Sequence, residues 1–265
     1  MPALALSLFA ITLYALASHQ LATRPFGARP DSRTWLLPAV PAVVLHAALH
    51  LVAWRLLGGP DLHFFAAMSL VGLGMAALTT LLGPAQRIEA LGIFVFPLAS
   101  LVLAAYAVFG GGQPREDLGW PLKLHALLAL LAYSTLAVAT LIAIMLWFQE
   151  RALRQRQLGA WQRILPPLTQ VETLLFRSLG AAFALLSLTL LTGVVFVDDL
   201  FAQGLGHKTV LSILSWIVLA LLLFGRWRWG WRGPRAAKLT LVAMALLLLA
   251  FFGSKYVYEL VLQRA

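Results

Sequence analysis

The chain contains no cysteine. Disulfides, thiolate metal sites, thioether attachment of a prosthetic group and cysteine nucleophiles are therefore excluded. Charge is scarce as well: 11% of residues are Asp, Glu, Lys or Arg, about half the share of a soluble domain. There is no GxGxxG, no phosphate-binding P-loop and no HExxH, so nucleotide and zinc-hydrolase chemistry lack their usual carriers. Ser134 and Ser212 have no histidine–carboxylate arrangement near them, which speaks against a hydrolase. The chain offers no catalytic set and reads as a binding or assembly factor rather than an enzyme.

What is present is apolar surface. Hydrophobic residues make up 61% of the 265 positions, with a mean hydropathy of +0.87. No soluble core of this size could hide that much, so lipid has to be the solvent. Eight apolar runs fall at about 3–20, 35–54, 64–83, 91–109, 121–148, 172–196, 209–225 and 239–261, each near the ~20 residues needed to cross a bilayer. Backbone polar groups in hydrocarbon must be satisfied internally, so the runs are expected to be helices. The predicted fold is an all-α, polytopic bundle of eight transmembrane helices, forming one integral membrane domain over 1–265. The first run lacks a basic leader and a small-residue cleavage site, and reads as a span rather than a removed signal. The fifth is long and is predicted to project beyond the membrane.

Net charge is +10. In a soluble protein that would suggest nucleic acid. Here thirteen of the 20 Lys and Arg residues fall in the alternate loops 21–34, 84–90, 149–168 and 226–238, which points to topology: these loops stay in the cytoplasm and both termini are outside. Membrane lipid, not nucleic acid, is the expected partner, and a bacterial inner membrane the expected location. Trp35, Trp147, Trp161, Trp227, Trp229 and Trp231 fall at inner boundaries, with Trp54 and Trp120 at outer ones, as in an aromatic belt. Gly72, Gly74 and Gly193 are expected to let helices approach closely. Asp198 and Asp199 read as a solvated pair.

Five of the six histidines fall in the outer half of the predicted bundle. His46 and His50 are four apart, on one face of the second span. His63 opens the third span, His125 lies in the first turns of the fifth, and His207 opens the seventh. Only His19 lies toward the inner side. An ionisable side chain inside a bilayer is costly and marks a functional site by default. Neutral imidazole suits metals and haem iron, given a partner for its other nitrogen. His46 with His125 is the first candidate pair of ligands for haem b, and His125 with His207 the second. Outer-side cations such as Lys123, Lys208 and Arg55 are candidates to pair with haem propionates.

The stretch from His207 to Leu262 has a short polar loop, Lys208, a span with Ser215-Trp216, the block Gly230-Trp231-Arg232-Gly233 and a closing span. His125 is followed by Tyr133-Ser134, and Leu165-Pro166-Pro167-Leu168 precedes Glu172 and Arg177. This pattern resembles the cytochrome c assembly family: CcsA- and CcmC-like membrane proteins and, closer still, their HemX- and YpjD-type inner-membrane relatives. The resemblance covers roughly 60–262 and is strongest after residue 120. It implies haem handling at the outer face with histidine axial ligands. By position, His125 matches the family's ligand histidine and His46 a histidine in an early span of the shorter relatives. Apocytochrome c, or other cytochrome c assembly or haem-biosynthesis proteins, are the implied partners. The family's tryptophan-rich haem-presenting segment has no counterpart, because the short loop Val197–Gly206 stands in its place. The outer histidine after the last span is replaced by Gly253-Ser254-Lys255-Tyr256. Presentation of haem to an apocytochrome thus finds no support in the sequence, whereas binding, storing, relaying or sensing haem stay open.

Two other classes compete. Intramembrane histidines can relay protons through a transporter or channel, but no clear inverted repeat is seen, and Pro38, Pro41 and Pro97 are the few candidate breaks. A scaffold is the third reading, with arginine-rich inner loops docking on anionic lipid or an acidic partner.

Overall fold

In a computed structural model the described residues are 2–23, 33–86, 89–110, 118–155, 167–196 and 206–261. They form eight long helices and no strand. The helices are α1 (Pro2–Ala22), α2 (Leu36–Leu57), α3 (Phe64–Gln86), α4 (Gly92–Phe109), α5 (Trp120–Arg154), α6 (Leu168–Phe196), α7 (Gly206–Trp229) and α8 (Pro234–Leu248). A single 3₁₀ turn, Glu89–Leu91, precedes α4, and the chain after α8 widens into π-helix. All eight helical segments are long and apolar enough to cross a membrane.

The apolar runs located the helices, but several helices outrun them. The fifth extends to Arg154, as its length suggested, and the seventh runs from Gly206 to Trp229. The eighth begins at Pro234, five residues before the apolar run does, because Gly233 adopts φ +58° and the proline sits at the first helical turn. Much of the 226–238 stretch is therefore helix end rather than loop. Arginine and tryptophan suit a helix end at the membrane boundary, so the fall in hydropathy did not mark the end of hydrogen bonding.

The chain divides into two compact units. The first comprises 1–118 with 160–166, the second 119–159 with 167–265. In the first, α1 and α3 each pack against α2 and α4. Close approach is set by small residues: Ala10, Ala17, Ala39, Ala42, Ala67 and Ala99 are fully buried, as expected where dispersion rather than hydrophobicity holds helices together. A Cβ at Gly72 would meet the Val102 side chain at 2.4 Å, so α3 and α4 touch there as the sequence predicted. Trp35 departs from the aromatic belt. It is 1% exposed, lies 6.0 Å from the Phe96 ring and packs over Gly83. Trp54, Trp120, Trp227 and Trp229 are exposed, as anchors should be. Trp161, Asp198 and Asp199 lie outside the described residues.

In the second unit α5 and α7 each pack against α6 and α8. Polar staples join the helices. Ser215 donates to the Ala243 carbonyl at 2.8 Å, and the Trp216 indole N–H donates to Ser187 Oγ at 2.7 Å. The Gly230-Trp231-Arg232-Gly233 block is a turn with positive φ at both glycines, and Trp231 lies against Gly225. Arg226 on α7 and Arg232 in the turn before α8 both reach Glu172 on α6, at 3.0 and 3.2 Å, tying two helices and the turn at one end of the unit.

Candidate functional site

In the first unit the predicted histidines join a continuous polar cluster. His46 is fully buried. Its Nδ1 lies 3.2 Å from the Tyr14 hydroxyl and its Nε2 2.8 Å from Ser69 Oγ, so both ring nitrogens are engaged. Ser69 Oγ is also 2.9 Å from His50 Nε2. A hydroxyl carries one proton, so at most one of the two imidazoles accepts it and the other must donate. The His50 ring stacks on Tyr106 at 4.7 Å and 16°, and the Tyr106 hydroxyl bonds to the buried Asp61 carboxylate. Asp61 in turn holds His63 Nδ1 at 2.6 Å. The helical spacing of His46 and His50 foretold their shared face. Tyr14, Ser69 and Tyr106 were not singled out, since no local pattern ties them to histidines 19 or more residues away, and Asp61, two residues before His63, read only as an outer-side charge.

The second unit is built differently. His125 on α5 and Lys208 on α7 line one cavity of about 250 Å³, walled by apolar side chains such as Leu186, Val194, Ile213 and Phe251. His125 Nδ1 lies 3.1 Å from Thr192 Oγ1. The Thr192 hydroxyl proton is already committed to the Leu188 and Thr189 carbonyls, each at 2.9 Å. With the Thr192 oxygen accepting from Nδ1–H, and the Thr189 backbone also hydrogen-bonded to the ring, the single imidazole proton is on Nδ1 and the lone pair on Nε2. Gly193 makes room for the ring: a Cβ there would stand 3.2 Å from His125 Cε1. The close approach expected at Gly193 is thus that of α6 to the His125 ring on α5. His207 is exposed in the first turn of α7 and does not line the cavity. His46 and His50 belong to the first unit, and His125, His207 and Lys208 to the second. His19 is exposed on α1.

The cavity is somewhat below the ~300–1,000 Å³ of small-molecule pockets. Val194 and Ile213 are 66% and 41% exposed, however, so a flat ligand could project past them into lipid. An imidazole lone pair, apolar walls and an ammonium group make a donor set for an amphipathic molecule carrying a metal and an acidic group. Among the described residues no group of three or more His, Asp or Glu side chains could hold a bare metal ion.

Eight apolar helices make this a multi-pass membrane protein, and the relatives place it in the bacterial inner membrane. The cytochrome c assembly protein family matches residues 39–262, and the chain belongs to it. It is 32% identical over 240 residues to the inner membrane protein YpjD of Escherichia coli, covering 86% of this chain and 88% of that one. The protein HemX of Brevibacillus brevis is 28% identical over 197 residues, 72% of this chain and 70% of HemX. The cytochrome c biogenesis protein CcsA of Chlamydomonas reinhardtii is 23% identical over 180 residues, 64% of this chain and 49% of CcsA. No solved structure matches.

Proposed function

We propose that the protein is a haem-binding membrane factor that serves cytochrome c maturation or haem homeostasis, and that haem b binds in the cavity of the second unit. The observation that carries this reading is the pairing of His125 and Lys208 across one apolar-walled cavity. When bound, haem would supply an iron that an imidazole nitrogen could hold. Thr192 orients the His125 ring and holds its Nδ1 proton, and Nε2 is the ligating atom. Lys208 pairs with a propionate. Leu186, Val194, Ile213 and Phe251 exclude water from the porphyrin face. His125 is the single imidazole lining the cavity among the described residues. His46, His50 and His207 remain candidate further ligands, but His46 could take a metal only by giving up Tyr14 or Ser69. Membership of the cytochrome c assembly family and the CcsA relative support placing this binding in cytochrome c maturation, with an apocytochrome or another assembly protein as partner.

The test is to express the protein with abundant haem, purify it in detergent and record absorption spectra of wild type, His125→Ala and Lys208→Met. A Soret band in wild type, lost in His125→Ala and weakened in Lys208→Met, is the expected outcome. A band of equal intensity in all three would place any bound haem elsewhere and refute the site.

A further inference from the structure

Beyond α8 the chain leaves α-helical geometry. Leu249–Gly253 and Tyr256–Val261 are π-helical. Such openings are rare, concentrate at functional sites and need an identifiable cause. Here the cause is one side chain from another helix. The Tyr133 hydroxyl, buried on α5, donates to the Leu247 carbonyl and is also hydrogen-bonded to the Phe251 backbone. Its only proton goes to Leu247, so in the second bond the Phe251 amide N–H is the donor. Leu247 C=O and Phe251 N–H are four residues apart, the pair that an uninterrupted α-helix would join directly. Tyr133 is thus inserted into one rung of the helical ladder. Just beyond, the Ser254 hydroxyl adds side-chain bonds to the Ala250 and Phe251 carbonyls.

The insertion has a consequence at the cavity. One extra residue in a turn rotates everything after it by about 100°. In an unbroken helix Lys255 would point about 80° away from Leu247, which lines the cavity; the π-turn brings it back to within about 20° of that stripe. Lys255 Nζ lies 5.4 Å from the centre of the Phe251 ring, itself part of the cavity wall, and is bonded to Glu259 at 2.7 Å. It is within electrostatic range of Lys208. Two ammonium groups, with the Glu259 carboxylate beside them, therefore gather at one edge of a cavity whose lining also holds His125, Tyr133 and the hydroxyls of Thr189, Thr209 and Ser212.

We propose that Tyr133 is a positioning residue: by holding the π-turn open it brings Phe251 and Lys255 to the edge of the His125 cavity, where Lys255 and Lys208 together select a ligand with two carboxylates. This rests on the haem reading for the ligand's identity but not for the π-turn itself. It also gives the Tyr133 that follows His125 in the sequence a physical role, eight residues along the same helix.

The test has two arms. The chain is free of cysteine, so Val210→Cys and Val257→Cys, both at exposed positions of the second unit, can carry spin labels in the full-length protein in nanodiscs. Tyr133→Phe is expected to let the helix close and to shift the inter-label distance by several ångströms. An unchanged distance would overturn the proposal whether or not haem binds. In the second arm, haem and its dimethyl ester are titrated into wild type, Tyr133→Phe, Lys255→Met and the double variant. Each single change is expected to weaken haem about tenfold, the double no further, and the ester to bind all four alike. Equal loss of haem and ester in Tyr133→Phe, or full additivity in the double variant, would contradict it. Failure of wild type to bind either porphyrin would sink the haem reading and leave the distance arm to decide the π-turn.

Discussion

The two units place histidine in membrane helices in opposite ways. In the first, His46 has no free nitrogen, because Tyr14 and Ser69 close both sides of the ring, and the neighbouring His50, Tyr106, Asp61 and His63 continue the network. In the second, His125 is held by the Thr192 hydroxyl and the Thr189 backbone and faces a cavity with Lys208 on its wall. An intramembrane histidine is expensive in either setting. The first unit offsets most of the expense within the protein, His63 Nε2 alone of the cluster's buried side-chain atoms standing without a hydrogen-bond partner, while the second sets a ring nitrogen beside a cavity. Depth of burial alone therefore does not identify a ligand; a ring nitrogen left unengaged beside a cavity is the better mark, as at His125.

That contrast can be broken by substitution. The largest effect on stability is expected from His46→Leu. It strands the Tyr14 hydroxyl and removes one of the two imidazoles on Ser69, both in a fully buried setting, and should cost about 3 kcal/mol. Thermal unfolding in detergent measures it, and ligand absorption should persist in the fraction that stays folded. A variant as stable as wild type would mean that the network contributes little. Thr192→Val acts on the other unit. It removes the hydroxyl that accepts the His125 Nδ1 proton, and should weaken haem about tenfold, at the low end for a lost supporting partner of a metal ligand, with little change in melting temperature. Haem titration checks the first expectation and calorimetry the second. The smallest effect belongs to Glu172→Gln. Arg226 and Arg232 are 31% and 66% exposed at their side chains, so solvent screens much of the loss. About 1 kcal/mol is expected, read from the unfolding midpoint, with haem affinity unchanged because the Glu172 staple does not line the cavity.

The sequence carried the gross architecture well because hydropathy depends on local composition. Eight runs became eight helices. The ends were less legible: Pro234 and Arg154 lie in polar stretches that the backbone carries on as helix. Trp35 looked like an interfacial anchor, yet it is buried against Phe96, since a residue type cannot say which way its helix turns. For the site, the residue types pointed to His46 with His125, then His125 with His207, with Lys208 one of three candidate cations; in the structure His125 and Lys208 line one cavity and His207 does not. Thr192, Gly193 and Tyr133 were not legible as its supports. Threonine and glycine are common in membrane helices for packing alone, and Tyr133 acts on a rung 114 residues away in the chain. The Ser215-Trp216 and Gly230–Gly233 motifs proved to be staples between helices rather than ligand contacts.

The most direct test of His125 as the ligating group is chemical rescue. His125→Gly, purified with haem in the presence and absence of free imidazole, is expected to lose the wild-type Soret and visible bands and to regain them when imidazole fills the vacated space, while His46→Gly is not rescued. If His125→Gly keeps the wild-type spectrum without imidazole, the iron is held by another group and the cavity of the second unit is not the binding site.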